Sequence, residues 1–103
     1  MNLQKIWQRL IDFREERNWG EYHTDEALAR SLMIEGAELN RLFQWGQSPD
    51  NETLADEVAD NLIYSLYLCI NRGFNPVEII ENKIAKNAEK YPIGEHGKWE
   101  QTT

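Results

Sequence analysis

The chain has 103 residues, 11 basic and 18 acidic side chains, a net charge of −7 and 41% hydrophobic content, which fits one small domain and favours dimerisation to complete its core. That charge excludes a nonspecific hold on duplex nucleic acid, which needs basic surface. No uninterrupted apolar span is long enough to cross a bilayer, and the start lacks the long apolar segment of a secretory signal, so a cytoplasmic protein that does not enter a membrane is expected. Cys69 is the only cysteine, which excludes an intramolecular disulfide and a cysteine metal knuckle. Lying in the run Leu66 to Ile70, it is expected to be a buried structural thiol.

The first helix is predicted from Leu3 to about Arg17, with Leu3, Ile6, Leu10 and Phe13 on one face and Asp12, Glu15 and Glu16 on the other. Asn18 to His23 breaks the pattern, because Gly20 is a poor helix residue and two aromatics fall close together. Trp19 and Tyr22 in that loop can cap a core or stack on a planar ligand. His23 by itself reads as a hydrogen-bonded structural histidine. A second helix is predicted from Thr24 or Asp25, either of which can cap, to about Trp45. Leu28, Leu32, Leu39 and Leu42 mark its inward stripe, and Glu35 fills the slot between Leu32 and Leu39. Trp45 follows Glu38 by seven residues, two turns on, so the indole falls near the azimuth of the acids. It can plug the helix end or stack on a nucleobase.

Gly46 to Asn51 is a short link with strong turn chemistry. Ser48 with Pro49, or Thr53 with Asp56, can open a third helix that runs to Arg72, where Gly73 supplies a left-handed stop. So short a connection makes helices two and three antiparallel neighbours. Helix three carries Leu54, Tyr64 and Leu68 on its inward stripe, with Glu57 and Asn61 in interior slots. From Leu62 to Ile70 it is apolar almost all round, which points to a subunit interface. Asn75, Pro76 and Glu78 then open a fourth helix, whose inward face is Val77, Ile80, Ile84 and Ala88. Lys83, Lys86 and Lys90 recur on a neighbouring stripe with Asn87. Such lysines are ordinary solvated surface unless metal and carboxylates stand close by, where they become donors for phosphate oxygens. Tyr91 and Pro92 end the helix. Residues 1–93 are thus expected to form the domain, and 94–103 a mobile polar tail.

The chemistry concentrates in two pairs, Glu35 with Glu38 and Glu57 with Asp60. Partners three apart on a helix project from nearly the same side. A single E-x-x-E is common on a solvated face. Here two pairs on consecutive helices interrupt apolar stripes, and Arg41 is the only basic residue from Glu35 to Asp60. Four inward carboxylates are costly unless cations neutralise them, so the pattern points to a metal site. Oxygen-only ligands favour Mg²⁺, with Mn²⁺ as a substitute.

Together these residues give E-x-x-E, a spacer and E-x-x-D, joined by Arg17-Asn18-Trp19, Phe43-Gln44-Trp45, Ala59-Asp60-Asn61-Leu62-Ile63-Tyr64 and Lys83 to Pro92. In that ordered set, from Trp19 to Pro92, the chain resembles the MazG-like members of the all-α nucleoside triphosphate pyrophosphohydrolase superfamily. The resemblance implies an all-α, four-helix bundle completed by homodimerisation, as a dimer or a dimer of dimers. It also implies Mg²⁺-dependent cleavage of a nucleoside triphosphate between its α and β phosphates, giving monophosphate and pyrophosphate. By the same resemblance Glu35, Glu38, Glu57 and Asp60 ligate the metal, and Glu35 or Glu38 takes the proton from water. Trp19, Trp45 and Tyr64 match positions around the nucleoside, and Lys83, Asn87 and Lys90 match the substrate-facing side of the last helix. Some relatives that select cytosine nucleotides carry a histidine nine residues before the loop tryptophan, where this chain has Leu10. Two alternatives stand beside a nucleotide-pool enzyme: a phosphoribosyl-ATP pyrophosphohydrolase, and a non-catalytic helical module that binds metal or nucleotide and dimerises.

Overall fold

A computed structural model describes residues 2–94, and within them the chain is all-α, with no strand. Four helices follow one another: α1 (Leu3–Glu16), α2 (Asp25–Arg41), α3 (Asn51–Arg72) and α4 (Pro76–Lys90). They divide into two compact units, Met1–Gly73 with α1 to α3, and the segment from Phe74 onward with α4. The expected tail lies outside the described residues beyond Gly94.

Helix ends follow their caps. Asn2, Thr24, Asp50 and Asn75 each turn a side-chain oxygen onto backbone N–H groups of the first turn, which would otherwise be orphaned. The start of α3 differs from the expectation. Asp50, rather than Ser48 or Thr53, caps it by accepting from the Thr53 N–H at 2.7 Å. A carboxylate satisfies the donor and favours the positive end of the helix at once. The end of α2 differs as well: after Arg41 the bonds shorten to i−3 spacing, Phe43 N–H to Asn40 O and Gln44 N–H to Arg41 O. Trp45 therefore stands beyond the helix, in a turn closed by Gly46 at φ 75°, and does not share Glu38's azimuth.

α1 ends in a Schellman motif, with Asn18 N–H donating to Glu15 O and Trp19 N–H to Arg14 O, both at 3.1 Å. Asn18 takes the left-handed conformation (φ 56°), so the helix stops before Gly20. Asparagine tolerates that region better than other side chains. The reversal aims Trp19 back along α1.

In the first unit α2 packs along α3, and α1 lies more lightly against α3. Leu28, Tyr67 and Cys69 are buried. Most of the run from Leu62 to Ile70 is at least half-buried inside this unit, and Leu62 is its exposed apolar member. That run therefore packs in part within its own unit, with Leu62 and Ser65 left exposed. On α4, Val77, Ile80 and Ile84 are exposed, since a lone helix offers its apolar stripe nothing within its own unit.

Candidate metal centre

Two helices and one asparagine build the centre. Asn61 Nδ2 donates to Glu57 O, one turn back on its own helix, at 2.9 Å, and to Glu35 O on α2 at 3.2 Å. One amide thereby clips together the main chain of the two residues whose carboxylates must meet. Gly36 faces the same asparagine, and a Cβ there would stand in ordinary contact, 3.9 Å from Asn61 Oδ1. At this crossing Glu35, Glu57 and Asp60 each bring a carboxylate oxygen to within 4.8 Å of the others.

The electrostatics suit a cation. Burial pushes the Glu35 carboxyl above the usual carboxylate range, and Asp60, Glu57 and Glu38 push it further by repulsion. Glu57 Oε2 is buried with no hydrogen-bond partner. An acceptor without a donor, beside two more carboxylates, lacks a positive partner. Hard oxygen donors of this kind fit Mg²⁺ or Mn²⁺.

Glu38, the fourth expected ligand, is not part of the convergent group. It is half-buried and pairs with Arg41 Nη1 at 3.3 Å, one turn further along α2. Its charge still reaches Glu35.

Asp60 also opens onto a cleft of about 460 Å³ between α1 and α3, lined further by Ile6, Arg9, Leu10, Phe13, Trp19, His23, Ile63, Tyr64 and Tyr67. The aromatic wall is continuous. Phe13 meets Trp19 edge-on at 5.6 Å between ring centroids, Trp19 lies 5.9 Å from His23, and His23 lies 4.9 Å from Tyr67. Of the expected nucleoside contacts, Trp19 and Tyr64 line this cleft. Trp45 does not; its side chain is 78% exposed. Lys83, Asn87 and Lys90 belong to α4, in the other unit, where Asn87 is half-buried and the lysines are exposed.

Several lining residues were not among the expected site residues. Ile6, Leu10 and Phe13 read as packing, and their stripe is indeed apolar, but its far end forms a wall of the cleft. Tyr67 read as part of an interface; it is buried, and its hydroxyl donates to Leu10 O at 2.9 Å. His23 read as structural, yet its Nδ1 is buried without a partner. Burial and the neighbouring Arg14 guanidinium lower its pKa, which favours the neutral ring.

Comparison with known proteins agrees with this architecture. The profile of the MazG-like family matches residues 26–103. The crystal structure of a pyrophosphatase from Archaeoglobus fulgidus superposes with a TM-score of 0.78 at 40% sequence identity, covering 87% of this chain and 92% of that one. Among curated proteins, dCTP pyrophosphatase 1 of Homo sapiens is 30% identical over 100 residues, with 87% of this chain and 59% of that protein covered. The Rattus norvegicus protein of the same name is 28% identical over 101 residues, covering 88% and 59%. The chain thus spans roughly three-fifths of the length of these curated relatives.

Proposed function

Because the chain belongs to the MazG-like family, we propose that it hydrolyses (deoxy)nucleoside triphosphates to monophosphate and pyrophosphate in housekeeping of the nucleotide pool, with Mg²⁺ as cofactor and Mn²⁺ as a substitute. The observation that carries this reading is the convergence of Glu35, Glu57 and Asp60 at the edge of an aromatic cleft that shares Asp60. Relatives named as pyrophosphatases support it.

Glu35, Glu57 and Asp60 would hold a divalent cation, which would supply positive charge for the phosphate oxygens and lower the pKa of nearby water. Trp19 and Tyr64 take the base in the cleft and so set the distance from nucleoside to acids. Glu38 lies outside the convergent group and is the carboxylate left to accept the proton of the attacking water; Glu35 is the second candidate. Attack on the α phosphorus breaks its bond to the bridging oxygen, and pyrophosphate leaves. Lys83, Asn87 and Lys90 recur four and three residues apart on one face of α4; by the resemblance they match the substrate-facing side of the last helix, where the lysines are donors suited to phosphate oxygens. Trp45 is retained as a nucleoside contact on the resemblance alone. Leu10 in the cleft wall offers no hydrogen bond to a base, so the proposal does not confine the substrate to cytosine.

The test is release of pyrophosphate from a panel of (deoxy)nucleoside triphosphates with Mg²⁺. Release should vanish with EDTA and fall at least ~10²-fold in Glu38→Ala or Asp60→Asn, the scale of losing a catalytic group or ligand. Release untouched by either substitution overturns the site. No release across the panel, with metal still bound, favours the non-catalytic module.

A further inference from the structure

We propose that Asn71, near the C-terminal end of α3, is a positioning residue for the cleft, holding Trp19 and His23 at their working distance from Tyr64 and Tyr67. The inference rests on the reading above that the cleft takes the base. The two walls of the cleft are α1 with the loop after it on one side, and α3 on the other. The packing of α1 on α3 is light, so polar ties between the walls carry weight. Asn71 makes most of them. Its Oδ1 accepts from Arg14 Nη1 of α1 at 2.8 Å. Its Nδ2 donates to His23 O at 2.7 Å and to Asp25 Oδ1, at the start of α2, at 3.1 Å. These partners are 57, 48 and 46 residues away in sequence.

One side chain there must accept from a guanidinium and donate to a carbonyl and a carboxylate at once. Aspartate can only accept, lysine can only donate, and glutamine is a methylene too long. The primary amide of asparagine fits all three demands. Arg14, held this way, also lies 5.1 Å from the Tyr67 ring centroid. The tie at His23 O bounds the far end of the Trp19 loop, whose near end is set by the Schellman turn at Asn18. With both ends held, Trp19 stands ready rather than being ordered at substrate expense.

The experiment compares wild type, Asn71→Ala, Asn71→Asp and Trp19→Ala, with an α,β-imido nucleoside triphosphate as the binding probe. Expected for Asn71→Ala are KM and probe Kd about 5–20-fold higher, kcat within about twofold, and unchanged Mn²⁺ affinity. Amide hydrogen exchange across Trp19 to His23 should quicken about tenfold, the scale of one or two lost hydrogen bonds. Asn71→Asp keeps the acceptor for Arg14 but sets a carboxylate against Asp25 and His23 O. It should shift the same quantities the same way, and it serves where the alanine variant does not fold. A purely structural tie would instead lower the melting temperature and kcat at constant KM and Kd, and that result overturns the proposal. If Trp19→Ala weakens the probe and neither Asn71 variant does, the positioning role alone is overturned. If Trp19→Ala also leaves binding unchanged, the placement of the base fails first.

Discussion

Glu35 concentrates the electrostatic cost of the centre. Its carboxyl is raised by burial first and by Asp60, Glu57 and Glu38 after that. An acid with a folded pKa above its unfolded value contributes stability below the unfolded value and loses it as pH rises through the folded one. His23, lowered by burial and Arg14, works the other way, because its stabilisation is lost as pH falls. Glu35's window opens upward from the ordinary glutamate value and His23's downward from the ordinary histidine value, so the two run towards each other and wild type alone does not separate them. Glu35→Gln does: in metal-free protein its melting temperature should exceed wild type by about 2–5 °C at pH 7.5 and converge with it near pH 4.5. Saturating Mg²⁺ should reverse the order at pH 7.5. Equal melting temperatures across that range would mean that Glu35 carries no strain.

At the scale of elements, the centre depends on how α2 crosses α3, and Asn61 sets that crossing through two carbonyls it shares with nothing else on its side chain. Both carbonyls belong to helices and keep their backbone partners when the amide is removed. Asn61→Ala should therefore cost only about 1–2 kcal/mol in urea denaturation. The effect on the centre should be larger in kind, since Glu35 is no longer registered against Glu57. Mn²⁺ affinity by calorimetry should fall roughly tenfold, as for other groups that orient ligands without touching the metal. Lost stability with unchanged affinity would mean that the helices keep their register by apolar packing alone.

At the scale of the molecule, one chain leaves much apolar surface open. Met33 is 68% exposed and Leu62 59%, with Ile34 and Val58 beside them on α2 and α3. Val58 and Leu62 stand one turn apart and present a single face. We propose that these exposed residues, continuous at Leu62 with the run to Ile70, belong to the surface on which the expected homodimer, or dimer of dimers, would close. Sedimentation at micromolar concentration should give a dimer or tetramer, and Leu62→Glu should shift it towards monomer by placing a charge on that face. A wild-type monomer at that concentration contradicts the assembly. No helix among the described residues is long and apolar enough to cross a membrane.

The sequence by itself determined the four helices, their caps at Thr24 and Asn75, the stop at Gly73 and the placing of acids in apolar slots. These depend on residues within one or two turns of each other, where spacing and side-chain chemistry suffice. The family resemblance also marked Trp19 and Tyr64, and both line the cleft. Tertiary structure decided which carboxylates meet: Glu35, Glu57 and Asp60 converge while Glu38 turns to Arg41, a choice between partners that periodicity treats as equal. It also decided that α1's packing stripe is the wall of a cleft, that Asn61 ties α2 to α3 at the centre, and that Asn71 ties α3 to α1 and the loop after it. Those roles join residues up to 57 positions apart, and a hydrogen bond across that distance leaves no trace in the spacing of either partner.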